Sequence, residues 1–256
     1  MDGSKRYSLL LVTLLFVCCC CCQNIEAQTG KDTDLWTWTS DAKHHESIVK
    51  IECAGGTGTG VVIAIDESSE KSGGFKGYCL TAWHVVEEDK GEGNIGIEYR
   101  NGKKAKHCRV IEHDEAADVA LVYIWVPKGV CAAKLATLPV EKGDDLEFVG
   151  LGGSSELSCC LRHFSAKASM PSSEQKIFSD VPLLPGDSGG PVFNQKNEVV
   201  GIISGGWFWW DGGVTIKQQD SETGSPINAT WPARAANVGP IQRMIGNVEN
   251  AETIFR

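Results

Sequence analysis

Positive charge is in short supply along this chain: 24 Lys and Arg stand against 33 Asp and Glu, for a formal net charge of −9. A general electrostatic grip on nucleic acid is therefore not expected. Prolines are few, 9 against 29 glycines with no triplet period, which excludes a collagen-like rod and suggests the many turns of an all-β protein. The apolar run Leu9–Cys22 covers only 14 residues, short of the roughly 20 that cross a bilayer, so stable membrane insertion is not expected. Past residue 27 no two cysteines have the paired spacing of a zinc site. The glycine-rich stretch Gly55–Gly60 is followed by no Gly-Lys-Ser/Thr and so is not a phosphate loop. No internal repeat is present, and no low-complexity tract outside the first 27 residues. What remains is an ordinary globular composition, 42% hydrophobic and 22% charged, which excludes disorder as the main state.

Lys5 and Arg6, the apolar run and the small Ala27 read as a signal peptide over residues 1–27, cleaved near Ala27–Gln28. The expected location is secreted or periplasmic. Bulky Phe16-Val17 before the run Cys18–Cys22 disfavours lipid attachment there. The mature chain then holds Cys53, Cys79, Cys108, Cys131, Cys159 and Cys160. This even set allows up to three disulfides, and we expect buried thiols with one or two bridges.

A polar segment, 28–46, precedes a series of short apolar runs broken by Gly, Asp, Asn and Lys. The first set is Ile48–Glu52, Gly60–Ile65, Gly77–Thr81, Ile95–Tyr99, Lys106–Ile111 and Val119–Trp125. The second is Leu146–Val149, Leu157–Phe164, Gln175–Phe178, Val192–Phe193, Val199–Ile203 and Val214–Lys217. Two sets of six predict an all-β fold of two six-stranded antiparallel barrels, about 47–126 and 140–220. Ile241, Met244, Ile245 and Val248 fall at helical spacing after Pro240, predicting a C-terminal helix over about 238–249.

Three local patterns carry chemistry. In Gly186-Asp187-Ser188-Gly189-Gly190-Pro191 a serine sits on a tight glycine turn before an apolar strand. There the amides of Gly186 and Ser188 can share one small space, as an oxyanion hole requires. Serine needs a base, and His84 in Thr81-Ala82-Trp83-His84-Val85-Val86 sits where a strand would deliver it to a barrel rim. Asp118 opens the run Asp118-Val119-Ala120-Leu121-Val122, a place that half-buries a carboxylate and can fix an imidazole tautomer. Each feature alone has a structural explanation; the order His, Asp, Ser joins them.

That order and these words resemble the chymotrypsin-fold, trypsin-like serine proteases, closest to their HtrA/Deg-like branch. The likeness runs from about Ser47 to Ile245. It includes Gly56-Thr57-Gly58-Thr59-Gly60-Val61-Val62-Ile63 and Val199-Val200-Gly201-Ile202-Ile203-Ser204. The resemblance implies a protease domain over 47–250, with His84 as general base, Asp118 as its orienter, and Ser188 as nucleophile. It also implies an oxyanion hole at Gly186 and Ser188. Polypeptide is the implied partner, and no cofactor is implied. Ser47-Ile48-Val49-Lys50 lacks the glycines of an activating N-terminus and is similar to the HtrA type, so Asp187 needs another partner. About 50 residues follow Ser204, too few for a PDZ domain.

By the same resemblance, Pro182 and Leu183 wall the first specificity pocket, and Ser204, Gly205 and Gly206 form the edge that binds extended substrate. With Pro182 near the pocket base, small or medium apolar P1 residues are expected rather than Lys or Arg. Trp207-Phe208-Trp209-Trp210 reads as an aromatic loop on the barrel, an apolar cleft wall, or a membrane or partner contact. His44-His45 and the pair His107, His113 find no carboxylate or cysteine in the sequence to complete a metal cage. Asn228-Ala229-Thr230 fits a glycosylation acceptor. The alternatives are a catalytically latent binding protein on the same fold and an esterase-like hydrolase.

Overall fold

The computed structural model describes residues 42–54, 56–152, 161–169, 175–179, 181, 183, 185–205, 218–219, 226–227 and 233–248. A 3-10 turn, Lys43–Ser47, leads into the first barrel. The barrel strands are β1 (Ile48–Cys53), β2 (Gly56–Lys71), β3 (Gly74–Thr81), β4 (Ile95–Tyr99), β5 (Lys104–Asp114) and β6 (Val119–Pro127). They close in the order β1-β2-β3-β6-β5-β4, and the ladders between them are antiparallel. A short helix, α1 (Trp83–Val86), leaves β3 toward the barrel rim.

The second sheet holds β7 (Asp145–Gly150), β8 (Arg162–Lys167), β9 (Lys176–Ser179), β10 (Pro191–Asn194) and β11 (Val199–Gly205). A two-residue ladder, β12 (Gln218–Gln219) with β13 (Pro226–Ile227), precedes the sheet's last strand, β14 (Ala233–Asn237). The order is β8-β7-β10-β11-β14-β9. Its two edges approach each other where Ser169 N–H donates to Phe178 O (2.8 Å) and Ser179 Oγ donates to Lys167 O (3.1 Å). Helix α2 (Val238–Gly246) follows, capped by the Asn237 side chain, whose oxygen accepts from Val238 N–H at 2.8 Å. No helix among the described residues is long and apolar enough to cross a membrane.

Strand alternation explains how the halves join. In β6, Ala120, Val122, Ile124 and Val126 point into the first barrel with Cys79 and Tyr99. Val119 and Leu121 point the other way, into a shared core with Phe193, Ile202, Ile241 and Met244. Burial on both faces turns β6 into a nearly continuous apolar run. The second sheet keeps its own core, including Phe148, Ile177, Val192 and Ile203.

All six strands expected of the first barrel are present. In the second half, β14 lies past the expected limit of 220. Its sequence, Ala-Arg-Ala-Ala-Asn, carries no strand signal of its own, because alanine is depleted in strands. The expected strand Val214–Lys217 and residues 157–160 of another lie outside the described residues. Cys53, Cys79, Cys108 and Cys131 are free thiols, so none of the four joins the expected bridges; Cys159 and Cys160 lie outside the described residues. Burial first of all pushes the Cys79 thiol up and raises Cys108 to about 11, which keeps both protonated and inert.

Candidate active site

Asp118 ends the turn between β5 and β6. Ala117 N–H donates to Asp114 Oδ1 (3.0 Å) and Asp118 N–H to Glu115 O (3.2 Å). Asp118 takes φ of 58°, a left-handed conformation that Asp tolerates better than most residues. This puts its half-buried carboxylate against α1. His84 grips it twice, through its own N–H to Oδ1 at 3.0 Å and through Nδ1, 2.8 Å from Oδ2 and 3.1 Å from Oδ1. The neighbouring Trp83 ring stacks on His113, centroids 3.8 Å apart, holding α1 to β5. With Nδ1 turned to the carboxylate, Nε2 is the nitrogen left for a substrate-side proton.

Ser204 closes the far side. Its Oγ donates to Asp118 Oδ2 at 2.6 Å and accepts from an Arg234 guanidinium nitrogen at 3.2 Å. Arginine can only donate, so this pairing directs the hydroxyl proton onto the carboxylate. Burial pushes the Asp118 carboxyl up. The hydrogen bonds from the His84 ring, Ser204 and the His84 amide, with the His84 charge, outweigh it and hold Asp118 below the usual carboxylate range.

Across the junction, the turn carrying Ser188 is tied to both halves. Gly189 N–H donates to Ile203 O (2.7 Å), Ile203 N–H to Gly190 O (2.8 Å) and Gly190 N–H to Asp187 O (2.9 Å). From the first barrel, Thr59 N–H donates to Ser188 O (2.8 Å) and Thr59 Oγ1 donates to Gly186 O (2.7 Å). Thr59 Oγ1 also accepts from Leu151 N–H (2.9 Å), while its carbonyl accepts from Thr81 Oγ1 (2.8 Å). Gly189 has φ +85° and a Cβ there would enter Thr59 O and Thr81 Oγ1, so only glycine fits. A Cβ at Gly205 would lie 3.9 Å from Ser188 Oγ, which places the end of β11 beside the serine.

Asp187 is 2% exposed, and its Oδ1 accepts from Gly152 N–H at 2.7 Å. A main-chain amide just past β7 therefore serves the carboxylate that lacked a partner in the sequence. Close approach requires the glycine, since a Cβ at Gly152 would meet Asp187 Oδ1 at 2.5 Å.

The structure thus brings His84, Asp118 and Ser204 into one hydrogen-bonded chain and sets the Ser188 turn with Gly186 alongside. Among the described residues no hydrogen bond joins Ser188 Oγ to the imidazole. Leu183 is 7% exposed and packs in the core of the second sheet; Pro182, Gly206 and Trp207–Trp210 lie outside the described residues. Sequence reasoning missed Thr59, Gly152 and Arg234. Thr59 carried no signal of its own, since Thr57 lies between glycines in the same strand in the same way.

A double antiparallel barrel, with an aspartate-held histidine on one half and a glycine-turn serine tied to both, is the architecture of chymotrypsin-like peptidases. Residues 58–202 match the family model of the trypsin-like peptidase domain, more than half of the chain, and the chain belongs to that family. It is 35% identical over 156 residues to a probable periplasmic serine endoprotease DegP-like of Ectopseudomonas mendocina, covering 57% of this chain and 29% of that protein. Against periplasmic serine endoprotease DegP of Salmonella typhimurium it is 28% identical over 132 residues, 50% of this chain and 27% of that one. The chain spans under a third of the length of these curated relatives. Among solved structures, it resembles a serine endoprotease from Yersinia pestis, with TM-score 0.54, 16% identity, and coverage of 81% and 66%. It also resembles the Rv3671c protease of M. tuberculosis in an inactive form, with TM-score 0.52, 17% identity, and coverage of 80% and 90%.

Proposed function

We propose that the chain is an exported serine endopeptidase in which Ser188 attacks a peptide carbonyl while His84 Nε2 takes the hydroxyl proton. The observation that carries this reading is the double grip of His84 on Asp118, 2.8 Å through Nδ1 and 3.0 Å through the amide. It fixes the tautomer that a general base needs. Asp118 stays ionised throughout. The Gly186 and Ser188 amides hold the tetrahedral oxyanion, each donor worth about 3–4 kcal/mol of barrier. His84 then protonates the leaving amine, and water repeats the sequence to release the acyl group.

Small or medium apolar P1 residues are the expected substrates, extended along the end of β11 at Ser204 and Gly205. A panel of peptides differing only at P1 tests this: best cleavage after Lys or Arg would overturn it. His84→Ala should lose most peptide cleavage with the fold unchanged, and activity retained in that variant would remove His84 as base. Export rests on the leader, and amino-terminal sequencing of the mature protein should begin near Gln28. A latent, peptide-binding form is the second reading, favoured by the lack of a hydrogen bond between Ser188 Oγ and His84. Catalytic hydrogen bonds often close only on the substrate, so turnover of a cognate peptide that disappears in Ser188→Ala decides between them.

A further inference from the structure

Away from the serine, three histidines converge on one carboxylate. His44 and His45 lie in the 3-10 turn ahead of β1, Glu147 in β7 and His163 in β8. Glu147 Oε2 is 2.8 Å from His44 Nε2, and Oε1 is 3.1 Å from His45 Nε2 and 3.4 Å from His163 Nδ1. The donor atoms of His44, His45 and Glu147 all lie within 4.8 Å of one another. Adjacent side chains ordinarily diverge, yet here the turn brings both rings to the same carboxylate. The two rings meet edge to face with centroids 4.3 Å apart, and His44 also packs edge-on against Phe193 at 4.8 Å. The His45 side chain is only 1% exposed, and those of His44 and Glu147 are 16% and 23% exposed; His163, at 52%, closes the solvent side.

Two imidazoles and a carboxylate, with a third imidazole beside them, are the donor set of a zinc site. Bonds of about 2.0–2.1 Å in a tetrahedron put neighbouring donors roughly 3.3 Å apart, and the three distances to Glu147 bracket that separation. In such a site His44 and His45 would carry their N–H on Nδ1 and turn Nε2 to the metal, while His163 would bind through Nδ1 with its N–H on Nε2. We propose that His44, His45 and Glu147, with His163 as fourth donor, form a structural zinc site that fastens the segment ahead of β1 to the second sheet. The ion would sit beside Phe193, in the strand that follows the serine turn, and would brace that turn without taking part in proton transfer.

The test uses the mature chain from Gln28 carrying Ser188→Ala, free of the Cys18–Cys22 run, stripped with a chelator and titrated with zinc alone, with cobalt as a spectroscopic substitute. Calorimetry should find a one-to-one site, and zinc should raise the melting temperature. His44→Gln and Glu147→Gln should each weaken binding by roughly tenfold or more. The exposed His163→Gln cannot threaten the fold and should weaken it several-fold. The cobalt spectrum should be tetrahedral without a thiolate charge-transfer band. Absence of binding tighter than micromolar, a thiolate band, or affinity unchanged in both His44→Gln and Glu147→Gln would overturn the site. Unchanged affinity in His163→Gln alone would overturn the fourth donor. None of these readouts depends on peptide cleavage, so the zinc site and the peptidase reading stand or fall separately.

Discussion

The two halves of the site are built differently. The histidine–aspartate half hangs on the closed first barrel, where a four-residue turn and a one-turn helix supply both groups and, among the described residues, Ser204 with Arg234 behind it reaches in from the second sheet. The serine half is a loop without regular structure, positioned by main-chain bonds to β11 and by Thr59 reaching over from β2. On the proposed mechanism, the base is therefore assembled by local geometry, whereas the nucleophile depends on the packing of one half against the other. This difference accounts for a histidine already gripped by its aspartate while Ser188 Oγ is not yet bonded to the ring.

The largest effects come from removing the reacting groups. Ser188→Ala should lower kcat/KM by about 10⁴- to 10⁶-fold with an unchanged fold, read by peptide cleavage and circular dichroism. Asp118→Asn should lower kcat by about 10⁴-fold by permitting the wrong tautomer. It also has a pH signature. The Asp118 carboxyl lies below its ordinary 3.8 in the folded state, so its stabilisation is full above that value and is lost as pH falls through the lower folded one. Urea unfolding should therefore show a shallower loss of stability as pH falls below about 4 in Asp118→Asn than in the parent.

Thr59→Val sharpens the comparison, because it cuts the side-chain link between the halves while keeping the shape. Gly186 O and Leu151 N–H would lose their buried partner, at a cost of about 1–3 kcal/mol in unfolding free energy. kcat should fall by up to about a hundredfold if the serine turn shifts; equal activity would mean that the loop holds itself. Smaller still, Ser204→Ala should reduce kcat by roughly tenfold, since Asp118 keeps both bonds from His84. Arg234→Met should cost a few-fold, largely restored by Arg234→Lys, and nothing further in the Ser204→Ala background, because the guanidinium acts on Asp118 through that hydroxyl.

The same contrast governs what the sequence reveals. The first barrel is legible because its strands alternate or run continuously apolar, and because its loops are short and marked by Gly, Asn and Asp. His84, Asp118 and Ser188 are legible as local words whose order adds meaning. The second sheet is less so: β14 is made of alanines and is paired only by tertiary context. Thr59 to Gly186 and Gly152 to Asp187 join residues far apart in sequence, which no local pattern announces. Glu147 likewise sits in an unremarkable strand, and only the fold delivers it to His44 and His45, where the sequence offered no carboxylate.

Fluorophosphonate labelling of the purified mature protein, with Ser188→Ala and His84→Ala beside it, tests most directly that the two halves make one working site. The account predicts covalent labelling of the parent, none of Ser188→Ala and strongly slowed labelling of His84→Ala. A well-folded parent that resists the reagent, or one labelled equally well without His84, would contradict it.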